Sequence, residues 1–126
     1  MDGQITVKNL NDEFAEFTGT EHYYRHWLPV FVYTDGIKMM AEKYQAYWLL
    51  DIVFSWQSKD KVSREKFQIW TLEVSGKKGE VLMRPDCDKP VITCQRIPFT
   101  DFPEGMLKMY FIDDGTNKVL LLPSEY

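Results

Sequence analysis

With 126 residues, 44% hydrophobic and 15% aromatic, the chain has material for one core, so a single domain over 1–126 is expected and intrinsic disorder is excluded. A formal charge of −4 gives a field that repels phosphate backbones, which argues against generic nucleic-acid binding. No apolar run reaches the roughly 20 residues that cross a bilayer, the start Met-Asp-Gly-Gln lacks a signal-peptide pattern, and Cys87 and Cys94 stand outside any cysteine-dense framework, so a cytoplasmic protein with reduced thiols and no membrane partner is expected.

The first predicted element is a helix over about 9–18, with Asn11 as N-cap, Asp12 and Glu13 in the first turn, and Leu10, Phe14 and Phe17 on one face. Residues 20–27 are dense in polar and aromatic side chains and give no clear period. The run 30–33 reads equally as an edge strand or an extended connector. Thr34 is placed as the N-cap of a second helix over about 34–45, in which Ile37, Met40, Ala41 and Tyr44 keep helical spacing. Residues 46–57 are apolar nearly all round and predict a third helix, buried on most sides; periodicity leaves open whether it continues the second.

After a charged loop over 58–66, the period changes to two. In 67–75, Trp70, Leu72 and Val74 share one side, and a glycine-bounded connection over 76–79 leads into a strand over 80–84. Further strands are predicted over 91–97, 106–112 and 118–122, the last two joined through Asp-Asp-Gly-Thr-Asn. The expected fold class is therefore α+β, with N-terminal helices packed on one face of a C-terminal antiparallel sheet of about four to five strands.

Chemistry-bearing residues are few. His22 and His26 stand four apart and would share a face on a helix, the spacing a metal site needs, but no His-Glu-x-x-His pattern accompanies them and no metal or cofactor is assigned. Asp51 falls in the most apolar stretch, where an unpaired carboxylate costs several kcal/mol, so it requires a partner: Arg25, His26, or a hydroxyl of Tyr23, Tyr24 or Tyr47. An Arg25–Asp51 structural pair is the favoured choice, and His22, His26 and Asp51 are the candidate catalytic groups if the chain is an enzyme. Glu21 and Glu42 offer carboxylates without informative spacing. Nucleotide-binding loops and the serine-hydrolase elbow are absent from the sequence.

Seven segments resemble one family of small bacterial, phage and plasmid domains without an assigned activity. They are Phe-Thr-Gly-Thr-Glu (17–21), Tyr-Arg-His (24–26), Tyr-Thr-Asp-Gly (33–36), Ala-Tyr-Trp-Leu-Leu-Asp (46–51), Phe-Gln-Ile-Trp (67–70), Thr-Asp-Phe-Pro (100–103) and Leu-Pro-Ser-Glu-Tyr at the end. The resemblance implies one domain and an accessory role tied to mobile elements, and it transfers no catalytic residue. The leading expectation is a non-enzymatic interaction module that contacts another protein through Tyr23, Tyr24, Arg25, Trp27, Tyr33 and Thr34. The alternatives are a small enzyme of hydrolase type with a His/Asp pocket and, third, a nucleic-acid accessory protein.

Overall fold

The computed structural model describes residues 8–26 and 30–126. Period-two alternation builds most of it. Strands β1 (Tyr23–Arg25), β2 (Phe31–Thr34), β3 (Phe67–Ser75), β4 (Lys78–Arg84), β5 (Thr93–Ile97), β6 (Gly105–Asp113) and β7 (Lys118–Leu121) form one seven-stranded sheet in the order β1-β2-β7-β6-β3-β4-β5. Neighbours are antiparallel except β2 and β7, which run parallel.

This corrects the expected fold. The sheet is larger and mixed, and it is the dominant element, because the polar-aromatic segment supplies β1 and the following run supplies β2, which pairs with β7 and carries β1 on its outer edge. The helices are short: α1 (Asp35–Lys43), α2 (Tyr47–Ser55) and α3 (Asp60–Ser63). The last lies in the segment read as a charged loop, held by buried Val62. The helix expected over 9–18 is only a 3-10 turn, Leu10–Phe14, capped by Asn9 rather than Asn11. Asn11 is used elsewhere: its amide donates to Lys108 O at 2.8 Å and accepts from Lys108 N at 2.7 Å, pinning the segment to the β6 backbone like an extra ladder rung.

The β3–β4 connection is tighter than expected. Ser75 pairs with Lys78, and Gly76 (φ 58°) and Lys77 (φ 64°) form a two-residue turn with both φ values positive, whose twist suits a hairpin.

The break between α1 and α2 has a local cause. Ala46 N–H bonds Ala41 O at 2.8 Å and Gln45 N–H approaches Glu42 O at 3.5 Å, a Schellman stop with Gln45 at φ 50° where glycine is the usual occupant. A glutamine there costs roughly 1–3 kcal/mol of backbone strain. One core fills the space between helices and sheet: Ile37, Met40, Leu50 and Phe54 meet Trp70, Leu72, Met83 and Phe111.

Candidate binding surface

Alternation along the β1–β2 hairpin sorts the aromatic cluster onto two sides. Tyr24 and Tyr33 are directly paired and their rings stack at 5.7 Å. Tyr47 of α2 meets Tyr33 edge-on at 6.3 Å, and the Lys38 amine sits 5.0 Å over the Tyr24 ring. Burial, reinforced by the Tyr47 hydroxyl, pushes the Tyr33 phenol up to about 12, so it stays protonated at neutral pH.

Tyr23 and Arg25 point to the other side. With Val32, Val119, Asp114 and Asn117 they wall a cleft of about 320 Å³ where β1, β2 and the β6–β7 turn meet. Tyr23 is 61% exposed there. Thr34, expected on the contact surface, is instead 1% exposed; its hydroxyl caps α1 and donates to Glu125 Oε1 at 2.6 Å. Trp27, the remaining member of the expected surface, lies outside the described residues.

Extended geometry separates the histidines. A strand advances about 3.3 Å per residue, which leaves His22 and His26 on one side of β1 but roughly 13 Å apart at its two ends, too far for them to share a ligand. His22 is exposed and approaches Asp35 at 3.8 Å. His26 is buried, its ring edge-on to Phe54 at 4.7 Å, and its Nε2 lies 2.6 Å from Asp51 Oδ1. Asp51 thus finds one of its candidate partners. Its own environment differs from expectation: the side chain is 52% exposed, because Tyr47, Asp51 and Ser55 form the outer stripe of α2 while Leu49, Leu50, Val53 and Phe54 face inward.

The burial of the two side chains is the reverse of that in a hydrolase triad. In a hydrolase triad a shielded carboxylate orients a histidine that faces the substrate. Here the carboxylate faces solvent and the imidazole is 5% exposed, so the pair fastens the end of β1 to α2.

A second tie holds the start of the hairpin. Asp35 Oδ2 accepts from Thr20 Oγ1 at 3.2 Å, Glu21 N at 3.0 Å and His22 N at 3.3 Å. Burial alone would raise its pKa; the Tyr24 hydroxyl, the two backbone N–H groups and Thr20 outweigh this and hold the carboxyl below the usual range. A depressed carboxyl contributes stability that is present above the unfolded value near 3.9 and is lost as pH falls through the folded one. Asp35→Asn is therefore expected to melt below wild type at pH 7, with the gap closing in melts taken at progressively lower pH below about 4. A gap that is unchanged or widens on acidification would refute the assignment.

The segments of the hairpin and its ties, 17–21, 24–26, 33–36 and 46–51, are among those that carry the family resemblance, and residues 8–126 match the model of a family described as "Family of unknown function (DUF6876)". The chain belongs to this family. No curated protein and no solved structure matches it. Membership in DUF6876 therefore places the hairpin and its ties within one family domain without attaching an activity to them. Among the described residues no helix is long and apolar enough to cross a membrane.

Proposed function

We propose that this DUF6876 domain is a non-enzymatic interaction module of the cytoplasm, serving an accessory role in bacterial or mobile-element biology, and that it holds another protein through Tyr23 and Arg25. The observation that carries the reading is the cleft on the outer side of β1: an exposed tyrosine and an arginine stand side by side over it. These residue types dominate binding energy at protein interfaces, because each offers a large contact area and a polar end. The strand is braced on its other side by the Tyr24–Tyr33 stack and the His26–Asp51 contact, so little ordering entropy is lost when a partner docks. The reversed burial of His26 and Asp51 suits a brace behind the strand better than a reacting pair, which supports binding over catalysis.

The test is affinity capture from a lysate of the source cell, with wild type run beside a Tyr23→Ala, Arg25→Ala double variant. Both side chains are exposed, so the variant is expected to melt like wild type while losing the captured partner. A partner kept by the folded variant, or none retained by wild type, would sink the reading.

A further inference from the structure

A larger cleft opens elsewhere on the molecule, where the α1–α2 junction faces the β5–β6 connection. Its volume is about 630 Å³, and Tyr44, Trp48, Phe99 and Phe102 supply its rings. Buried Phe102 is the floor: the Tyr44 ring lies 4.9 Å from it and Trp48 stands edge-on at 6.5 Å. Phe99 forms the lip and is 64% exposed, with the Lys77 amine 5.8 Å from its centre. Beyond Thr100, Asp101 and Phe102, which both share, a second hollow of about 540 Å³ continues past Lys77 and Glu104.

The chemistry of the rim narrows the ligand. Each cation is already matched: Lys43 with Glu13 at 2.8 Å, and Lys77 with Asp101 at 3.6 Å. With each cation facing a carboxylate, the described residues of the rim offer no cluster of one sign to select an anion or a cation, whereas a neutral ligand with many hydroxyls can bond to the paired groups as they stand. The exposed Phe99 ring and the half-buried Tyr44 and Trp48 rings, set among polar groups, suit a molecule that is apolar on one face and polar around its edge. A pyranose has that form, with axial C–H groups on its face and hydroxyls at its rim. A trough made of two adjoining hollows fits several such rings in a row.

Gln45 adds a separate mark. It lines this cleft while holding the left-handed conformation that glycine adopts without strain, so the backbone bears a cost that leaves an amide at the rim. We propose that the trough between Trp48 and Phe99 binds a neutral oligosaccharide, with sugar faces against those rings and hydroxyls bonded to Gln45 and the Asp101 carboxylate. This site is separate from the Tyr23–Arg25 cleft and stands or falls independently of it.

The experiment is an amide and indole NMR titration of the whole chain with maltotriose, cellotriose and triacetylchitotriose, each to about 10 mM, alongside indole, adenosine and a proline-rich peptide as competing chemistries. At least one trisaccharide is expected to shift the Trp48 indole and Gln45 side-chain signals. Phe99→Ala, an exposed change that leaves the core alone, is expected to weaken that binding roughly tenfold. Gln45→Gly separates binding from folding, since it should raise the melting temperature by relieving strain while weakening the sugar roughly fivefold. The proposal is overturned if no trisaccharide shifts these signals, if Phe99→Ala binds like wild type, or if a competing probe binds more tightly than every sugar.

Discussion

Replacing Gln68 by leucine is expected to cost roughly 3–5 kcal/mol, read as a large fall in melting temperature or denaturant midpoint. Gln68 is fully buried on β3 and serves as a junction. Its Oε1 accepts from Gln57 Nε2 and Trp70 Nε1, both at 2.8 Å. Its Nε2 faces Gln57 Oε1, Val62 O and Glu65 O, each at 2.9 Å. Leucine is of similar size but leaves the buried Trp70 N–H without an acceptor and the Gln57 Oε1 without its donor, although Gln57 Nε2 keeps Val53 O and the Val62 carbonyl keeps Glu65 N, each at 3.0 Å; an unpaired buried polar group costs far more than a made hydrogen bond contributes. Since domains of this size hold a net stability of about 5–15 kcal/mol, the variant would sit near the edge of folding. A double-mutant cycle gives the sharper check. Adding Gln57→Leu removes the facing amide as well, so the pair should cost less than the two single changes summed. Strict additivity would show that the reciprocal amide pair does not couple the two sites.

The same network shows what could be read from the chain in advance. In β3, Trp70, Leu72 and Val74 alternate as expected and point into the core, and Gln68 continues their parity. Helix α1 was legible because Thr34 caps it and because Ile37, Met40 and Ala41 recur on its buried face. Strands β1 and β2 were not. Tyr23, Tyr24 and Arg25 are all amphipathic, so an alternation that separates two sides of a strand leaves no contrast in hydrophobicity, and β2 owes its place to parallel pairing with β7, far away in sequence. Helix α2 misled for a different reason. Its composition is so apolar that it read as buried all round, yet Tyr47, Asp51 and Ser55, spaced by four, already marked the solvent side.

For the functional residues the limit was geometric. His26 was named among the partners of Asp51 and the structure joins them, but spacing alone could not tell which of the two would be buried, and the proposed reading of the pair as a fastener rests on that. The trough of Tyr44, Trp48, Phe99 and Phe102 had no local signature, because its rings come from a helix end, a following helix and a loop some fifty residues later. Phe99 and Phe102 fall between the strands expected over 91–97 and 106–112, where the sequence carries no periodic signal. A surface assembled from separate segments becomes visible only when β5 and β6 bring that connection beside the α1–α2 stop.

Loss of the Glu125 carboxylate should be the second large effect, with Glu125→Ala costing about 2–4 kcal/mol in thermal or chemical melts. Glu125 is nearly buried and sits at the N-terminus of α1, where Oε2 accepts from Gly36 N at 3.0 Å and Oε1 from Thr34 Oγ1 at 2.6 Å and Leu122 N at 3.0 Å. A negative charge is favoured at that end of the helix dipole, and the bonds it accepts are charge-assisted. The Tyr-Thr-Asp-Gly and Leu-Pro-Ser-Glu-Tyr segments thus meet in a single contact, which also seats Tyr126 against Phe67 and Tyr110 at 5.6 and 5.5 Å. Glutamine at 125 keeps the shape but turns an NH₂ towards a donor, so Glu125→Gln should fall between alanine and wild type. Gly36 makes the approach possible: a Cβ there would come within 2.6 Å of Glu125 Oε1 and 2.8 Å of Leu122 Cδ1. Gly36→Ala should therefore expel the carboxylate and destabilise by a similar amount, and combining it with Glu125→Ala should cost clearly less than the sum, because the second change removes a contact already lost. A melting temperature for Glu125→Ala within a degree or two of wild type would mean that water serves the α1 terminus as well as the carboxylate does.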